Sequence, residues 1–336
     1  MLALYCPVCA PRRVAATGSI SRRQAVSGLT SLLVAPRCAA AEALAETAPN
    51  VVVWHRPSTS RRVTAPPGFG PLLILPGFGN DRSDYEAPFG VAEASVAAAL
   101  QARSFTVRVL PVERSDWFNV ARALLTPAFY AGTCTSREGY GWYIDRVAVA
   151  VDQASEEAGG AKVTLVGHSA GGWLARAYLA SAPEAARARV SGLVSLGSPH
   201  TPPPVGVTDV TRGALGWLNA GWPGAFFAPE VRYISVAGRT VTGRPGDAKD
   251  AEGKRRPPAY AASSYSTLLG GDGDGVVGDA VVPLSVALLD GAQHVVLPGV
   301  WHSVSRVGTF DEASGVSWYG SAEVVDEWLA PLVEGR

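Results

Sequence analysis

Residues 162–173 run Lys-Val-Thr-Leu-Val-Gly-His-Ser-Ala-Gly-Gly-Trp. The first half is β-branched and apolar, as a buried strand requires. The second half leads into Leu174, Ala175, Arg176, Ala177, Tyr178 and Leu179, a good helix-forming run. Ser169 stands at the junction, within Gly167-x-Ser169-x-Gly171. Strand, sharp turn and helix in that order hold a serine hydroxyl clear of the sheet edge, where it can act as a nucleophile. The small residues at 167 and 171 let strand and helix pass without a Cβ clash.

A strand that runs into a helix in this way belongs in an alternating array. Residues 71–75, 105–110, 190–196, 231–236 and 292–297 are further apolar runs, and 50–54 is a short one. Helical spacing lies between them over 84–102, 116–130, 139–157 and 321–332. The alternation predicts an α/β fold: a mostly parallel central sheet with helices on both faces. The strand at 71–75 ends in Pro76-Gly77-Phe78-Gly79-Asn80, a turn that can offer backbone N–H groups to an anion. Pro202, Pro203 and Pro204 break the chain after the 190–196 strand, and Trp217, Trp222, Phe226 and Phe227 follow. Two readings of 201–230 stay open: a lid over an apolar cleft, or a hydrophobic cluster beneath a long loop. Residues 240–260 are polar and rich in glycine and proline, and read as a surface loop.

The first acidic residue of the chain is Glu42, and five arginines precede it among many serines and alanines. That composition marks a targeting leader, so residues 1–49 are set apart from the fold as a cleavable, disordered leader, and 50–336 is taken as one domain. Arg22-Arg23, an apolar run and Ala39-Ala40-Ala41 resemble a twin-arginine export signal behind a transit segment. The expected location is the chloroplast, with the thylakoid lumen as the finer reading. Cys6, Cys9 and Cys38 fall in the leader, which leaves Cys134 alone and no internal disulfide. Lysine plus arginine (29) equals aspartate plus glutamate (29), so charge gives no sign of a nucleic-acid partner.

A serine nucleophile needs a histidine base and an acid, which follow it in the order serine, acid, histidine on folds with this elbow. Of the five histidines, His302 follows the last strand and lies after every candidate acid. His168 adjoins the serine and cannot fold back to serve it, His200 precedes the acids, and His294 lies within a strand. Spacing leaves Asp272, Asp274 and Asp279 open as the acid.

The elbow, the turn at 75–80, the run Gly278-Asp279-Ala280-Val281-Val282-Pro283 with residues 287–292 behind it, and Gly299-Val300-Trp301-His302-Ser303 together resemble plastid-targeted, lipase-like α/β-hydrolases of plants and algae. The resemblance spans residues 70 to 305. It implies the α/β-hydrolase fold and a serine carboxylic-ester hydrolase working through an acyl-enzyme, with no metal or organic cofactor. It implies Ser169 as nucleophile, Asp279 as acid and His302 as base, with the N–H groups of Phe78 and Ala170 as the oxyanion hole. Asp279 is chosen over Asp274 because the continuation through Pro283 matches, although Ala280 replaces the glycine usual in the family. The expected substrate is a lipid or small-molecule ester with an apolar acyl group, and peripheral membrane contact is compatible with it. An acyltransferase and a non-catalytic binding protein are the alternatives on the same fold. The oligomeric state is left open.

Overall fold

A computed structural model describes residues 51–53, 62–251, 253, 255–303 and 316–334. The leader at 1–49, with Cys6, Cys9, Cys38 and its cleavage motif, lies outside the described residues, as does His55. Seven strands form the main sheet: β1 (Val51–Val53), β2 (Leu72–Leu75), β3 (Val107–Val109), β4 (Val163–His168), β5 (Val190–Leu196), β6 (Arg232–Arg239) and β9 (Gln293–Pro298). Their spatial order is β1-β9-β6-β5-β4-β2-β3, and every pairing is parallel. Two short strands, β7 (Val241–Thr242) and β8 (Val277–Gly278), make a separate antiparallel pair.

The period of two along each strand divides the core between the two faces. Leu73, Leu75, Val163, Leu165 and Leu193 join one buried cluster. Leu72, Ile74, Val166, Val194, Ile234 and Val236 join another. Helix α3 (Ser136–Glu157) supplies the first cluster with Tyr140, Tyr143, Ile144, Val147 and Val151, a stripe at helical spacing. Thr135 caps it by accepting from the Arg137 N–H at 3.1 Å. Helix α4 (Ala170–Ser181) and helix α5 (Ala214–Gly221) pack on the same face. Helix α7 (Val325–Glu334) covers the other face with Trp328 and Leu329. Its Asp326 takes two 2.6 Å bonds from Arg103, and both side chains are buried. A pair that is buried and doubly hydrogen-bonded fixes the closing helix far better than a surface ion pair would.

Two helical expectations and one loop expectation change in detail. The 84–102 stretch is not one helix: helix α1 (Ser83–Glu86) stops, 3₁₀ turns follow, and helix α2 (Val96–Gln101) restarts on a Ser95 cap. Pro88 has no N–H to continue an α-helix, and Phe89 sits at φ 55°. The 116–130 stretch is a 3₁₀ run, Arg114–Leu125, which ends before Pro127 starts a new short helix. The loop expected at 240–260 contains β7 and runs into helix α6 (Pro257–Leu269), whose start is a proline at the first helical position. Trp217, Trp222 and Phe227 of the 201–230 stretch pack partly buried against the first cluster, while Phe226 is exposed. Cys134 is a free, buried thiol. Among the described residues, no helix is long and apolar enough to cross a membrane.

Candidate active site

Ser169 leaves β4 and precedes α4 with φ 52° and ψ −125°, an unfavourable conformation for a residue with a Cβ. The neighbours explain why it is held there. The Ser169 N–H donates to the Leu196 carbonyl on β5 at 2.9 Å, and its own carbonyl accepts from Gly172 at 3.1 Å. A Cβ on Gly171 would run into the Leu75 carbonyl, and one on Gly77 would lie 2.8 Å from Ser169 Cβ. The turn after β2 therefore touches the serine directly, and only glycine permits the approach. In that turn the Asn80 N–H closes on the Gly77 carbonyl at 3.0 Å, and Phe78 stands at the first central position. Ala170 opens α4, so its N–H has no acceptor within the helix.

Asp279 follows β8 and His302 follows β9, and the two side chains meet. Asp279 is 1% exposed, and every acceptor site it turns inward is used. Its Oδ1 accepts from the N–H groups of Val281 and Val282 at 3.0 and 2.7 Å. Its Oδ2 accepts from His302 Nδ1 at 2.8 Å and from the Tyr319 hydroxyl at 2.8 Å. Because a carboxylate only accepts, Nδ1 of His302 carries a proton. The His302 N–H also donates to the Asp279 carbonyl at 3.0 Å. Burial alone would raise the Asp279 carboxyl, but the His302 charge and the four hydrogen bonds outweigh it and hold the group below its ordinary value. Asp274 lies elsewhere, exposed in a turn where its N–H donates to Asp272 Oδ1 at 3.0 Å.

His168 joins the parts together. Its Nε2 is 2.9 Å from the His302 carbonyl, an acceptor, so Nε2 is the protonated nitrogen. Nδ1 then accepts from the Tyr85 hydroxyl at 2.8 Å. Tyr85 in turn accepts from the Gly77 N–H at 2.9 Å and from Asn80 Nδ2 at 3.0 Å. The residue beside the serine thus ties the Gly77 turn to the His302 loop, with the His168 and His302 rings 4.9 Å apart. Burial, then the neighbouring His302 charge, push His168 down to about 3, so the ring is neutral. Tyr85 and Tyr319 had no sequence signal: each reaches the site from tens of residues away, in segments with no motif of their own.

A second serine–histidine pair is present. Ser195 Oγ lies 2.9 Å from His200 Nε2. Both residues are buried, and His200 Nδ1 has no hydrogen-bond partner among the described residues. Among the described residues no acid orients that ring, and the Arg176 charge faces it. Ser169, by contrast, is half-buried and lines a cavity of about 260 Å³ together with Phe78, Ala170 and Trp173.

The family model described as "alpha/beta hydrolase fold" matches residues 70–233. The chain has the α/β-hydrolase fold. The matched stretch includes the turn at 77–80 and the Ser169 elbow, and ends before Asp279 and His302. Among solved structures, the mature form of the Bacillus licheniformis lipase BlEst2 is similar at 14% identity and a TM-score of 0.45, covering 81% of this chain and 95% of that one. Phospholipase PlaB from Legionella pneumophila is similar at 14% identity and a TM-score of 0.42, covering 79% of this chain and 63% of that one. A comparison with curated proteins found no match.

Proposed function

We propose that this α/β-hydrolase is a serine carboxylic-ester hydrolase acting on apolar acyl esters. The observation that carries the reading is the 2.8 Å contact between His302 Nδ1 and the buried Asp279, which leaves Nε2 free as a base. In this reading Ser169 Oγ attacks the ester carbonyl, and its proton passes to His302 Nε2. Asp279 holds the imidazole in the required tautomer and stabilises the imidazolium. The N–H groups of Ala170 and Phe78 take the developing oxyanion, each worth about a hundredfold to a thousandfold in rate. His302 returns the proton to the leaving alkoxide. Water then attacks the acyl-enzyme with His302 again as base, which releases the carboxylic acid and restores Ser169. The strained elbow supports the same reading, since backbone cost at one residue is repaid by an oriented hydroxyl that lines the cavity.

The test is reaction with a fluorophosphonate probe. Labelling should map to Ser169 and vanish in Ser169→Ala together with ester hydrolysis. Labelling that persists in that variant would refute the assignment.

A further inference from the structure

The Phe78 N–H follows directly on Gly77, a residue with unusual backbone freedom. Position 77 has to be glycine, because a Cβ there would lie 2.8 Å from Ser169 Cβ and 3.0 Å from the His168 carbonyl. The Gly77–Phe78 peptide is planar and trans, so its N–H points opposite to its carbonyl. Whatever fixes Gly77 therefore aims the Phe78 N–H.

Two contacts fix Gly77, and the buried Tyr85 of α1 joins them. The Gly77 carbonyl accepts from the Asn80 N–H at 3.0 Å. The Gly77 N–H donates to the Tyr85 hydroxyl at 2.9 Å, and Asn80 Nδ2 donates to the same oxygen at 3.0 Å. A tyrosine hydroxyl that accepts two bonds has one hydrogen left to give. That hydrogen goes to His168 Nδ1 at 2.8 Å, and His168 Nε2 donates onward to the His302 carbonyl at 2.9 Å. His168 thereby draws the hydroxyl hydrogen away from the turn and leaves the oxygen free to accept from it. Tyr143 and Trp117 hold the turn at its ends only, donating to the Pro76 and Asn80 carbonyls at 2.8 and 2.7 Å.

We infer that Tyr85 is a positioning residue for ester hydrolysis: its hydroxyl holds Gly77 so that the Phe78 N–H meets the oxyanion, and His168 sets the direction of that hydroxyl. The inference rests on the reading of Ser169 as nucleophile and Phe78 as oxyanion donor. Tyr85 touches no substrate atom in this role. Its effect is felt only as charge develops on the carbonyl oxygen, so it lowers the barrier without tightening the hold on the substrate. An N–H left in place but loosely aimed costs less than one removed, about tenfold to a hundredfold in kcat.

The experiment compares the full chain with Tyr85→Phe, which keeps the ring and removes the hydroxyl. Rates are referred to sites titrated to completion with a fluorophosphonate probe. The substrates are a 4-nitrophenyl ester and its thionoester, whose sulfur is a weak acceptor in place of the carbonyl oxygen. For the ester, kcat should fall about tenfold to a hundredfold while KM stays within about twofold. For the thionoester, which draws little on the oxyanion donors, the fall should be about threefold or less. A merely structural loss would lower both alike. Asn80→Ala removes one of the two bonds from the turn to the hydroxyl, and should show the same selective loss at about threefold to tenfold. It decides the matter if Tyr85→Phe does not fold. Equal falls on the two substrates, or an unchanged ester kcat, in a folded variant would overturn the inference and leave the hydrolase reading standing. Absence of turnover by the unaltered chain, with no fluorophosphonate labelling of Ser169, would overturn both.

Discussion

Lowering the pH from 7 to 5 should destabilise the fold well before any carboxylate is protonated. The cause is His168, whose ring is enclosed by Tyr85, His302, Trp318 and Tyr319 and is pushed down to about 3. In the unfolded chain the same imidazole titrates near 6.5. The unfolded state therefore binds the extra proton throughout the window from 6.5 to 3, and stability must fall as pH falls through it. The contribution is complete above pH 6.5. Between pH 7 and 5 the loss works out at about 2 kcal/mol for this one residue. His200, held well below its ordinary value by burial and then by the Arg176 and His294 charges, adds a loss of the same sign. Asp279, whose carboxyl is depressed, adds its own loss only below the ordinary carboxylate range. For a domain of this size 2 kcal/mol is a fall in Tm of about 4–8 °C. Thermal unfolding followed by circular dichroism at pH 7, 6 and 5 measures it. His168→Gln lowers stability at every pH but should flatten the dependence by about 1.4 kcal/mol per pH unit below 6. A wild-type Tm unchanged from pH 7 to 5, or equal slopes in the two proteins, would show that the ring is not held neutral.

Asp279→Asn should leave the fold intact and lower kcat about ten-thousandfold, since an amide favours the wrong imidazole tautomer. Asp274→Asn, in its exposed turn, should cost less than twofold; steady-state kinetics on one ester compares the two. Tyr319→Phe removes one bond to Asp279 and strands the Gly238 N–H, which donates to that hydroxyl at 2.7 Å. Denaturant titration should find about 2 kcal/mol lost. Ala280 sits at φ 85° with its methyl buried. Ala280→Gly should stay within about 0.5 kcal/mol of wild type, because relief of the positive φ offsets the lost methyl. Ala175→Gly, equally buried but inside α4, should cost about 1.5–2 kcal/mol in the same assay.

Local chemistry was legible in the sequence wherever one segment decides its own shape. The strand running into Gly167-His168-Ser169 did so, and so did the apolar runs that became β2, β4, β5, β6 and β9. Helix lengths were less so, because Pro88 and Pro127 interrupt patterns whose spacing looked continuous. Helix α6 went unread because its Pro257-Pro258 start resembles loop composition. At the site, spacing alone left three aspartates open, and the resemblance through Pro283 singled out the one that lies against His302. The same comparison marked Ala280 as the departure from pattern, and that residue has a backbone conformation suited to glycine. Tyr85 and Tyr319 were out of reach because nothing in a linear pattern says which distant hydroxyl will arrive at a buried imidazole or carboxylate.

The pairing of β1 with β9 sets a condition on how the chain comes together. Val51, Val52 and Val53 align with His294, Val295 and Val296, so the first strand of the sheet finds its partner only in the last. During synthesis nearly the whole domain must leave the ribosome before that edge can close. The interior strands can associate earlier, β2 with β4 and β4 with β5, around the elbow. Joining ends so far apart carries a large loop-closure entropy, and contacts of that range form late. Until then β1 and the flank of β6 that β9 will cover stay open to any other strand within reach, which makes the half-made chain a natural client for a chaperone.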